Sequence, residues 1–116
     1  MNIFVLDKDP VIAVSYHNDK HIIKMILEST QMLMSTYHLT NSTAVGDSKL
    51  YKLSHKHHPC TKRVNASFDN WELLFDLVMS LNYEWKCRYN HIDNHLSIDK
   101  LNHIVNAYDF PNIIRN

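Results

Sequence analysis

The sequence predicts a mostly α-helical fold: a compact single domain, residues 1–116, of three to four helices with a short extended N-terminal segment. Three observations carry this expectation. Only one glycine, Gly46, occurs in 116 residues, too few for a turn-rich β fold and for any glycine-rich phosphate loop. No stretch alternates apolar and polar residues in the strand–turn–strand manner. Apolar residues instead recur three and four positions apart over several long stretches, the spacing of a helix with one buried face.

Each element follows from its own residues. Residues 3–6 read as a short extended segment packed on the core. Asp9 and Pro10 form a helix start, the carboxylate as N-cap and the proline at the first helical position. Helical periodicity then runs to about Tyr37, and Asn18-Asp19 is a point where it can break and recap. Residues 40–48 form a polar loop around Gly46, and residues 50–59 are irregular or extended because Pro59 disfavours helix at His58. Helix returns near Cys60 or Thr61 and pauses near residues 67–69. Trp71, Leu74, Phe75, Val78, Leu81, Trp85 and Tyr89 then recur at helical spacing and are assigned to a core stripe. Ser97 is expected to cap a last helix containing Ile98, Leu101, Ile104 and Val105. Pro111 ends the regular structure, leaving a loose tail from about residue 110 to 116.

Hydrophobic residues make up 45% of the chain and charged residues 21%, the balance of a soluble globular domain. No apolar run reaches the roughly 18–20 residues of a membrane span. The opening six residues are too short for a signal peptide and run straight into Asp7, Lys8 and Asp9. The expectation is a cytoplasmic protein (host cytoplasm if viral), monomeric or a small homo-oligomer, with no membrane partner. Cys60 and Cys87 lack metal-finger spacing and read as free thiols.

The formal net charge is +0, so no global field draws the protein to nucleic acid. The charge is nevertheless unevenly placed. Lys49, Lys52, Lys56, Lys62 and Arg63 are joined by His55, His57 and His58, with no acid between residues 49 and 63. That stretch suggests a local phosphate-binding surface. Tyr51, beside Lys52, is a candidate for base stacking or a loop anchor.

A second pattern lies on the long first helix. His17, His21, Lys24, Glu28 and Gln31 fall within an arc of roughly 80° at 100° per residue. Ile22, Ile23, Ile26, Thr30, Leu33, Met34 and Tyr37 occupy the opposite, core-facing side. A solvated face with a Lys24–Glu28 pair explains part of the stripe. Two imidazoles, an ammonium, a carboxylate and an amide in one line can also bind an anion and move protons. His17 and His21, like His91 and His95, have the spacing of a helical metal pair but no fixed third ligand, so no metal or other cofactor is assigned.

Several of these residues resemble the small pyrimidine-dimer DNA glycosylases of the bacteriophage endonuclease V type. The matching elements are Met1-Asn2-Ile3 with Leu6, then Asp19-Lys20-His21, with Glu28 seven residues after that histidine. Tyr51-Lys52-Leu53-Ser54-His55 followed by His58-Pro59 is similar to the family's basic, proline-containing segment, and residues 76–90 resemble its late helix. A group of phage proteins with the same Asp-Lys-His and His-Pro-Cys elements is also similar. The resemblance implies a compact helical enzyme, an N-glycosylase with abasic-lyase activity on damaged duplex DNA, and no metal. It makes Glu28 the catalytic carboxylate, the amine of Met1 the Schiff-base nucleophile, and His21 a substrate or phosphate contact. His17, Lys24 and Gln31 then join Tyr51, Lys52, His55, Lys56, His57, His58, Lys62 and Arg63 as the substrate-binding set.

Leu27 and Gln31 stand where that family carries arginines. The same stripe and basic segment therefore also suit a non-catalytic phage protein that holds a nucleotide or other phosphate ligand and blocks a host pathway. A histidine-dependent metal phosphodiesterase built on His17, His21 and residues 55–58 is the third reading.

Overall fold

The computed structural model describes residues 19–40, 42–54 and 57–113. The extended segment at residues 3–6 and the helix start at Asp9-Pro10 lie outside the described residues. Four α-helices follow: α1 (Asp19–Leu39), α2 (Pro59–Ala66), α3 (Phe68–Tyr89) and α4 (Leu96–Tyr108). There is no strand among the described residues. The protein is mostly α, as its periodicity requires.

Helix α1 is the hub, packing against α2, α3 and α4. Ile22, Met25, Ile26, Leu33, Met34 and Tyr37 are all buried along it, together with Ser29, Thr30, Ser35 and Thr36. Burial on so many sides explains why its polar stripe is narrow. Ile23, expected in the core, is instead 45% exposed. It sits at the margin of the apolar arc, where Met34 farther along is buried beside Tyr51, whose N–H lies 3.2 Å from the Met34 sulfur.

The break between α2 and α3 is a single residue. Ser67 is extended (φ −157°, ψ 157°), and its Oγ accepts from the Asn70 N–H at 3.3 Å, capping α3. The Asn70 amide in turn donates to the Arg63 carbonyl at 2.8 Å, so one side chain splices the end of α2 to the start of α3. Trp71, one turn into α3, is fully buried and donates its indole N–H to the Leu33 carbonyl of α1 at 3.2 Å.

Two helices start on histidines. Pro59 holds His58 extended, and the His58 Nδ1 accepts from the Cys60 N–H at 3.0 Å. At α4 the N-cap is His95, whose Nδ1 accepts from the Ser97 N–H at 3.1 Å. Ser97, expected as the cap, lies inside the helix with its side chain buried. Its place was taken because His95 Nδ1 reaches the same orphan N–H groups from two residues earlier.

The end of the chain is not loose up to residue 113. Asp109 (φ 66°) ends α4, and its carbonyl accepts the Tyr37 hydroxyl at 2.7 Å. Phe110 packs its ring against Phe68, Trp71 and Phe75 at centroid separations of 5.4, 5.6 and 6.1 Å. Pro111 is buried and Ile113 packs on the core. The expected tail is thus core packing to residue 113, because Phe110 reaches the Trp71 ring and the apolar Pro111 and Ile113 follow it onto the core.

Candidate functional site

A short strap from the basic segment docks on the C-terminal half of the helix that carries the polar stripe. Residues 51–54 carry no regular structure and lie along α1. The Tyr51 carbonyl meets His38 Nε2 at 2.8 Å. Ser35 Oγ lies 2.8 Å from the Ser54 carbonyl and accepts the Ser54 N–H at 3.3 Å. The strap therefore runs from His38 toward the N-terminal half of α1. Ser35 stands seven residues beyond Glu28, two turns or about 10 Å along the same face.

On that face Glu28 and Gln31 are half-buried, whereas His21 and Lys24 are exposed. The Lys24 ammonium lies 4.0 Å from Glu28 Oε1, the i,i+4 pair read from the sequence. In the basic segment Lys49, Lys52, His57, Lys62 and Arg63 are exposed, the last two on α2, and Tyr51 and His58 are half-buried. The His58 ring is engaged as the α2 cap. Met1, His17, His55 and Lys56 lie outside the described residues.

Tyr51 is an anchor whose ring is also in use. Its hydroxyl lies 2.8 Å from Ser97 Oγ, and the Lys100 ammonium sits 4.8 Å above its ring centroid. Both contacts tie the start of the strap to the first turn of α4.

Sequence reasoning missed a third constellation, because its members are 56 and 61 residues apart. Asp47 Oδ2 accepts from the Tyr108 hydroxyl at 2.7 Å and meets His103 Nε2 at 3.0 Å. Asp47 Oδ1 takes the Lys49 N–H at 2.9 Å. The Lys49 N–H, then Tyr108 and His103, hold the Asp47 carboxyl down at about 2, and the Tyr108 hydroxyl is pushed up by the same bond. This cluster fastens the Gly46 loop (φ 105° at Gly46) to α4, just upstream of the strap. Among the described residues, no three His, Cys, Asp or Glu side chains converge as metal ligands. No described helix is long and apolar enough to cross a membrane.

The fold is a helical domain in which residues 51–54 strap onto the C-terminal half of the helix that also carries Glu28. No protein-family model matches the chain, and no match was found among curated proteins or solved structures.

Proposed function

We propose that this protein acts on DNA as an N-glycosylase/abasic lyase, with Glu28 as catalytic carboxylate and residues 49–63 as the phosphate-backbone surface. The reading rests on one observation above all: the strap docks at Ser35, two turns from Glu28 on the same helical face. Glu28 on that face is half-buried, with the exposed Lys24 ammonium 4.0 Å from its carboxylate.

The chemistry asks for one amine and one acid. The lone pair of the Met1 α-amine forms a bond to the sugar C1′ as the bond from C1′ to the base breaks. The departing base takes a proton from solvent, and the C1′–O4′ bond then breaks as the amine's proton passes to O4′, leaving the ring-opened, protonated Schiff base. An α-amine suits this step because its pKa of about 7.7–8.0 leaves part of it neutral at physiological pH. Glu28 stabilises the cationic sugar and then takes the C2′ proton, releasing the 3′ phosphate by elimination. No metal or cofactor enters.

Borohydride trapping with untagged protein tests the reading, using one oligonucleotide with a cyclobutane dimer and one with an abasic site. The expected result is a covalent adduct on both, mapped to the N-terminal peptide. Glu28→Gln should abolish turnover while preserving fold and DNA binding. No adduct on either substrate removes the mechanism. Stoichiometric retention of an intact nucleotide would then favour the non-catalytic ligand-binding reading of the same surface.

A further inference from the structure

Beyond the strap, the far end of α3 presents a second feature that packing alone does not explain. Asn90 adopts the left-handed conformation (φ 54°, ψ 39°), and the His91 N–H returns to the Lys86 carbonyl at 2.9 Å. This turn lays the His91 ring flat on Trp85, with centroids 4.2 Å apart and planes 13° from parallel. Trp85 packs inward on the core, while His91 is exposed, with the Tyr89 ring tilted 51° against it at 6.1 Å.

The loop carrying His91 is firmly braced. Asn82 Oδ1 accepts the His95 N–H at 3.0 Å, and the Asn82 amide donates to Asn94 Oδ1 at 3.0 Å. Lys86 Nζ donates to the same oxygen at 3.2 Å, and the Asn94 amide donates to Asp99 at 3.2 Å. Yet the loop keeps Ile92 91% exposed and, at its far end, Leu96 64% exposed. A braced loop that holds a flat ring beside bare aliphatic surface is preorganised for a planar ligand.

The ledge connects to the strap through contacts that run beneath the surface at Ser97, which is buried. The His95 ring meets Trp85 edge-on at 5.4 Å, its Nδ1 holds Ser97, and Ser97 Oγ meets the Tyr51 hydroxyl at 2.8 Å. We propose that His91, backed by Trp85, is a stacking ledge for an unpaired nucleobase of the strand whose phosphates follow the strap. The inference rests on the DNA reading above. Stacking suits any base because each has a π-face, and the imidazole and indole together offer a polarisable surface to receive it.

Tryptophan fluorescence tests this directly, because Trp71 is fully buried and only Trp85 can meet a ligand. Titrating the full chain with a short single-stranded oligothymidylate should quench emission, and Trp85→Phe should remove the quenching. His91→Ala should weaken binding by about tenfold, measured by anisotropy at fixed salt. Its thermal midpoint should fall by only a few degrees, the loss expected from one stacked ring pair at the surface, and Ile92→Ser, at a residue 91% exposed, provides a second variant expected to weaken binding in the same direction. Equal binding by wild type and His91→Ala would overturn the ledge and leave the DNA reading standing. No binding by wild type would sink both. Quenching that appears on concentrating the protein without DNA would mean a second copy covers the ledge, which also overturns the proposal.

Discussion

Removing the Ser35 hydroxyl should loosen the strap without touching any exposed charge. In Ser35→Ala the Ser54 N–H loses a 3.3 Å acceptor, and the Ser54 carbonyl at 2.8 Å and the Gln31 carbonyl at 2.9 Å lose the one hydroxyl proton they share. A net hydrogen bond contributes about 0.5–1.5 kcal/mol, and an unsatisfied buried partner costs about 1–3 kcal/mol. The site is only part-buried, so water relieves some of that cost, and the N–H bond is long. The expected loss is about 1–2 kcal/mol, which raises the strap-open population about five- to thirtyfold. Limited trypsin digestion reads that population through cleavage after Lys52, provided reclosing outpaces cleavage. Cleavage there should accelerate about five- to thirtyfold. Ser54→Ala is the internal control, since the Ser54 hydroxyl is buried with no hydrogen-bond partner and its removal should be neutral or mildly stabilising. Wild-type cleavage of Ser35→Ala, or equal acceleration in Ser54→Ala, would refute the clamp.

Two other perturbations test the frame around the site. The Asp47 carboxyl is held at about 2, below its ordinary 3.8, so it stabilises the native state above about pH 4. That contribution is lost as pH falls from about 4 toward 2, and Asp47→Asn should shrink the acid-side loss; urea midpoints at pH 7 and pH 2.5 measure it, and an unaltered difference would refute the assignment. Phe110→Ala removes three ring contacts with Phe68, Trp71 and Phe75 and should cost about 1–3 kcal/mol by calorimetry, whereas a truly loose tail would show no change.

The helices were legible because their signals are local. Proline at residue 59 sets His58 extended, and the Ser67 interruption follows from a side chain that reaches its own third neighbour. The core stripe was correct at Trp71, Leu74, Val78 and Leu81, which are buried, but Tyr89 is exposed and Trp85 is half-exposed. Periodicity says which residues share a face, not where along a helix the partner surface ends. The same limit applies to Ile23. The stripe containing Glu28 and the basic segment were both visible, but the docking of residues 51–54 on the same helix was not. It depends on Ser35 and His38, residues that periodicity marks only as ordinary helix positions. The Asp47 cluster was invisible for the same reason: nothing local to Asp47, His103 or Tyr108 announces a contact across half the chain.

The bond from Tyr37 to the Asp109 carbonyl joins positions 72 residues apart. It has a consequence for the order in which the molecule assembles. Helices α2 and α3, nearly continuous in sequence, can form from neighbouring residues as the chain is made. The Trp71 side of α1 stays open until Asp109 and Phe110 arrive, and closing so long a loop is slow relative to local helix formation. A nascent chain halted short of residue 109 would carry α1 with its tyrosine unpaired and its aromatic core uncovered. Such a chain exposes to aggregation an aromatic surface that Asp109 and Phe110 close in the finished domain.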